Sequence, residues 1–98
     1  MAARVIDGKA VAARVRVEVA RDVEAFAAAH GGARPGLATI LVGDDPASAV
    51  YVGSKRKACA EVGMESFHHP LPAAATREQV LALVDELNAD PRVSGILC

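Results

Sequence analysis

Apolar residues recur along the first third of the chain at Val11, Val15, Val19, Val23 and Phe26. Steps of four, four, four and three place them on one stripe of a helix, because residues three and four apart share a helical face. Arg14, Glu18, Arg21 and Asp22 fall mostly on the opposite side. Asp7 stands before the stripe, where a carboxylate accepts the free N–H groups of a first turn. His30-Gly31-Gly32 follows it, and glycine takes the left-handed closing conformation at no steric cost. The pattern predicts a long helix that wraps one face of a sheet.

From Leu37 to Val42 the helical spacing gives way to an unbroken apolar run with β-branched residues, the mark of a buried strand. Gly43 to Pro46 carries turn residues. A second helix is expected from about Ser48, with its hydroxyl as the cap, to Val62. It stops at Gly63 and faces the sheet with Val50, Ala58 and Val62. Met64 to His69 reads as a second strand, less apolar and so nearer an edge, broken by Pro70 and Pro72. Thr76-Arg77-Glu78-Gln79 matches a capping box, in which a threonine hydroxyl and a glutamine side chain satisfy each other's backbone N–H groups. The helix after it should bury Val80, Leu83, Val84 and Leu87 and end near Asn88, ahead of Pro91. A third strand begins at Val93 and still runs at Cys98, as though cut from a longer chain. The order β-α-β-α-β implies parallel strands with right-handed crossovers. The fold expected is α/β, a three-layer αβα arrangement on a parallel sheet, with residues 1–98 forming one unit and its sheet incomplete at the C-terminus.

Composition narrows the function classes. The 98 residues carry a net charge of −1 with acids and bases interspersed. No basic stripe points to nucleic acid. No apolar run approaches the roughly 18 residues of a membrane span, and no signal peptide is legible. The two cysteines, Cys59 and Cys98, have no metal-ligand spacing. A cytoplasmic protein with free thiols is expected.

The chemistry concentrates after the first strand. Tyr51 and Lys55 lie one helical turn apart on one face, and Ser48 lies three residues before Tyr51 on the same side. A hydroxyl, an aromatic ring and an amine thus line up near the C-terminal edge of a strand, where ligands collect in open α/β sheets. A Tyr-x-x-x-Lys pair also marks short-chain dehydrogenases, but no Gly-x-Gly-x-x-Gly is present. The Gly43 loop carries two carboxylates that would repel a pyrophosphate. This stretch should therefore not hold a dinucleotide. Adjacent Asp44 and Asp45 in such a turn more often bond their own backbone than a metal, and no metal is assigned. His68 and His69 are neighbours on a strand and point to opposite faces. Cys59 reads as a small packed residue.

The long stretch Val42-Gly-Asp-Asp-Pro-Ala-Ser-x-x-Tyr-Val-x-Ser-Lys-x-Lys-Ala58 closely resembles the N-terminal half of bifunctional methylenetetrahydrofolate dehydrogenase/methenyltetrahydrofolate cyclohydrolase. Ile6-Asp7-Gly8-Lys9, Pro35-Gly36-Leu37-Ala38, Leu87-Asn88 and Val93-Ser94-Gly95-Ile96-Leu97 sit where that family has similar segments. The resemblance implies that Lys55 is the catalytic lysine. A lysine can serve as acid and base near neutral pH only where desolvation or a neighbouring positive charge favours its neutral form. It implies that Tyr51 stacks on the folate and bonds near Lys55, and that Tyr51, Val52, Gly53, Ser54 and Lys55 form the substrate-contacting segment. Ser48 belongs beside substrate, with capping as the favoured role, and Cys98 begins a second substrate segment through its backbone. Gly53 stands where relatives often carry a larger residue, pointing away from ligand. The resemblance further implies a C-terminal NADP-binding Rossmann domain outside this chain, a homodimer, and a place in one-carbon supply to purine and amino-acid biosynthesis. The alternative reading is a non-catalytic α/β binding or regulatory module that keeps the fold.

Overall fold

The computed structural model describes residues 2–98. Its elements are α1 (Gly8–Ala29), β1 (Gly36–Val42), α2 (Pro46–Val62), β2 (Glu65–Leu71), α3 (Arg77–Ala89) and β3 (Gly95–Leu97). The three strands are parallel in the order β2-β1-β3, with Gly36 opposite Glu65 and Leu37 opposite Gly95. β1 is therefore central. The crossover through α2 runs one way across the sheet and the crossover through α3 runs back, so a common right hand puts the two helices on opposite faces. Side-chain alternation along β1 agrees. Ala38 and Ile40 are buried against Leu87 of α3, with Phe67, Leu71, Leu83, Val84, Val93 and Ile96 around them. Thr39, fully buried on the other face, has its Oγ1 2.9 Å from Nδ1 of His68.

The predicted caps of α1 and α3 form. Asp7 accepts from the N–H of Ala10. Thr76 and Gln79 make both halves of the capping box. The packing of α1 differs from the expectation. It lies along α2 instead of a sheet face, tied there by Arg34, which donates to Glu24 Oε1 at 2.9 Å and to the Gly63 carbonyl at 3.1 Å. The buried residues are Val23 and Ala27, whereas Val11, Val15 and Phe26 of the predicted stripe are exposed.

Two further boundaries move. α2 starts at Pro46, two residues ahead of Ser48. Its buried residues are Val52, Cys59 and Val62, while Val50 is 70% exposed and does not face the sheet. It ends at Gly63, whose φ of 85° is the left-handed cap. β2 continues through Pro70 to Leu71 instead of breaking there. The ladder explains this: Glu65 donates to the Pro35 carbonyl and Gly43 donates to that of Leu71. Odd-numbered residues of β2 thus face β1, and Pro70 falls on the outer edge, where its missing N–H costs no ladder bond. β3 spans only Gly95–Leu97, shorter than the run from Val93 to Cys98. Among the described residues no helix is long and apolar enough to cross a membrane.

Candidate functional site

β1 is a strand because its branched apolar residues fill both faces of the sheet, and Gly43, with φ of 84°, turns the chain sharply at its end. The turn delivers Asp45 to the cap of α2. Asp45 Oδ2 accepts from both the N–H and the hydroxyl of Ser48, each at 2.9 Å. Asp45, not Ser48, is therefore the N-cap, and Pro46 takes the first helical position, where a missing N–H is harmless. The two bonds, the backbone one first, hold the Asp45 carboxyl below the usual range. Pro46 was the signal in the sequence that the cap belongs at Asp45, three residues before Ser48.

A cleft of about 470 Å³ opens at the C-terminal ends of β1 and β3 beside the first turns of α2. Ser48, Tyr51, Val52 and Cys98, all singled out in the sequence, lie on its wall. Leu97 and Ala47, which sequence reasoning did not pick, line it too, along with the end of β1. Lys55 stands just beyond, with Nζ 5.1 Å from the centre of the Tyr51 ring, within reach of a cation–π attraction. Both side chains are exposed. Ser54 and Gly53 are exposed and do not line the cleft, and a Cβ built on Gly53 would meet nothing within 4 Å. Helical geometry explains the sorting: two residues after Tyr51, position 53 is rotated to the far side of α2. Val52 points inward and is buried, so its contribution to the cleft is an apolar wall.

Cys59 is buried one turn beyond Lys55. Burial pushes its thiol up, and the Lys55 charge offsets part of that, so it stays a packed thiol at neutral pH. His68 lies on the α2 side of the sheet through its bond to Thr39. Among the described residues no group of three or more His, Cys, Asp or Glu side chains could hold a metal ion.

Residues 6–98 match the family described as tetrahydrofolate dehydrogenase/cyclohydrolase, catalytic domain. The chain belongs to this family. The chain is 63% identical over 97 residues to bifunctional protein FolD 2 of Frankia alni, covering 99% of this chain and 33% of that protein. The methylenetetrahydrofolate dehydrogenase-cyclohydrolase (FolD) of Trypanosoma brucei, solved with NADP cofactor and inhibitor, superimposes with a TM-score of 0.92 at 39% identity, covering 97% of this chain and 32% of that one. The FolD enzyme of Campylobacter jejuni gives 0.86 at 44% identity, over 93% and 32%. The chain thus spans about a third of the length of these relatives. The tetrahydrofolate dehydrogenase/cyclohydrolase family assignment covers the cleft and every residue named on its wall, since all lie within the matched span.

Proposed function

We propose that this chain is the folate-binding catalytic part of a protein that oxidises 5,10-methylenetetrahydrofolate with NADP+ and hydrolyses the 5,10-methenyl product to 10-formyltetrahydrofolate. The observation that carries the reading is Lys55 held over the Tyr51 ring at the rim of a cleft built on the end of the central strand. Lys55 occupies one face of the ring. The other face is left for a flat pterin, and stacking there supplies contact area from a side chain with few rotamers to lose.

In the hydrolytic step, water adds to the cationic carbon that bridges two nitrogens. Lys55, as the amine, takes the proton of that water, and as the ammonium it returns a proton to the nitrogen that departs. The bridging carbon stays on the other nitrogen as a formyl group, and one proton in net goes to solvent. Ser48 and Cys98 contribute to the wall of the cleft that takes the ring. Tyr51 to Lys55 form the substrate-contacting segment, with Gly53 and Ser54 on its outer side.

The residues described do not fit a dinucleotide. The phosphate-binding position at the start of α2 is already taken by the Asp45 carboxylate, which uses the N–H of Ser48 and adds negative charge. We assign the nucleotide to a separate Rossmann domain of the natural protein, and the physiological unit to a cytoplasmic homodimer in one-carbon supply to purine and amino-acid biosynthesis. The mixed surface charge supports a small-molecule partner over nucleic acid.

The test compares the natural full-length protein with its Lys55→Met variant, following methenyl-folate hydrolysis and NADP-dependent methylene-folate oxidation in parallel. Loss of hydrolysis with folate binding retained is the expected result. Unchanged rates in both reactions would remove Lys55 from the chemistry. A wild-type protein inactive in both would favour a non-catalytic binding or regulatory module that keeps the fold.

A further inference from the structure

The bond between Asp45 and Ser48 has a direction. An ionised carboxylate only accepts hydrogen bonds. At 2.9 Å from Asp45 Oδ2, the Ser48 hydroxyl must therefore be the donor. A hydroxyl has one proton, and with that proton committed to Asp45 only lone pairs remain to face the cleft that Ser48 lines. The Ser48 N–H is committed to the same oxygen, so the residue has no donor left for a ligand.

We infer that Asp45 sets Ser48 as a hydrogen-bond acceptor toward the cleft, so that the site selects a ligand presenting a donor, an N–H or NH2 group, at that point. Asp45 is then a positioning residue that determines specificity without touching the ligand. The inference rests on the reading of the cleft as a reduced-folate site. A reduced pterin carries such donors around its ring, at the 2-amino group, N3 and N8. The double hydrogen bond from Ser48 also keeps Asp45 ionised, and so accept-only, through the neutral range.

Two substitutions separate this role from simple capping. In Ser48→Ala the helix cap survives, because Asp45 still accepts the backbone N–H. In Asp45→Asn the amide oxygen still accepts that N–H, but the amide NH2 can donate to Oγ and release the hydroxyl proton. Calorimetric titration of the natural full-length protein with 5-formyltetrahydrofolate compares wild type, each single variant and the double variant. Each single variant should bind about tenfold more weakly, the scale of one buried hydrogen bond lost. The double variant should bind no more weakly than Ser48→Ala, because Asp45 acts only through that hydroxyl. The same titrations use three analogues in which the 2-amino group, N3–H or N8–H is replaced by hydrogen, C–H or CH2 respectively. One of them should lose affinity for wild type and none for Ser48→Ala. Wild-type binding with unchanged single variants, with additive losses, or with no analogue behaving in that way overturns the inference and leaves the folate reading standing. Failure of wild type to bind reduced folate overturns both.

Discussion

Two glycines make opposite predictions. Gly36 opens the central strand where the segment after α3 crosses beneath it. Its N–H donates to Ser94 Oγ at 3.2 Å and its carbonyl accepts from Ser94 N at 2.7 Å. A Cβ at Gly36 would overlap the Arg92 carbonyl oxygen and lie 2.8 Å from Cε2 of Phe67. The first obstacle is backbone, so the crossing segment must move as a body. Overpacking of this kind costs about 1–3 kcal/mol. Displacing Ser94 also strains two hydrogen bonds worth roughly 1 kcal/mol each. Gly36→Ala should therefore destabilise by about 3–5 kcal/mol. At about 4–8 °C per kcal/mol for a domain of this size, the midpoint of this unit drops by well over 10 °C. Gly53→Ala should do the reverse. Its Cβ enters open space in the middle of α2, and replacing a mid-helix glycine gains about 0.5–1 kcal/mol. Thermal unfolding of the natural protein and both variants, followed by circular dichroism, checks the pair. A Gly36→Ala midpoint within about 2 °C of wild type would refute the close-approach reasoning, and a fall for Gly53→Ala would refute the helical placement.

Two pH measurements follow from the charges. Burial, aided by the Arg56 and His69 charges, lowers the His68 pKa below its ordinary 6.5. The unfolded chain therefore takes the proton first, and the stability His68 contributes is full above about 6.5 and is lost as pH falls through the lowered native value. Wild-type melting should fall more steeply from pH 7.5 to 5 than that of His68→Gln, and parallel curves would refute the placement of His68 against Thr39. Asp90, bonded through its side chain to Arg92 Nη2 at 2.7 Å and to Nε at 3.1 Å, is held down to about 2. Carbon-detected NMR titration of the carboxyl should give that value in wild type and a return toward 3.8 in Arg92→Gln; identical titrations would dissolve the pair.

What could be read from the chain depended on contrast. The Thr76 box and the run from Leu37 to Val42 were legible because their residue types have few competing uses, and both form as expected. The cap of α2 was less legible, since Asp45 and Ser48 are both good cap residues. Pro46 decides between them by taking the first helical position. The inner face of α2 was misread at Val50 because neighbouring alanines flatten the periodicity, leaving Val52 to be found by packing, whereas Cys59 is buried as its residue type suggested. The face of α1 was set by α2, a partner distant in sequence, which no local pattern encodes. In the candidate site, the Tyr51–Lys55 pairing followed from helical spacing alone. The wall supplied by Leu97 depended on β3 lying beside β1, a tertiary fact.

The strand order has a consequence in time. The central strand is the first to be synthesised, and its neighbour β3 is the last. Leu97 is the twenty-sixth residue added after Leu71, so at roughly 5–20 residues per second the ribosome needs about 1–5 s to supply the second neighbour. During that interval one side of the nascent sheet is guarded by the outward proline of β2, while β1 itself offers a bare flank of Gly36, Ala38, Ile40 and Val42 amides, the even-numbered positions that face β3. The molecule is most open to mispairing at the strand that later supports its chemistry, and the interval closes only when Gly95 to Leu97 leave the exit tunnel.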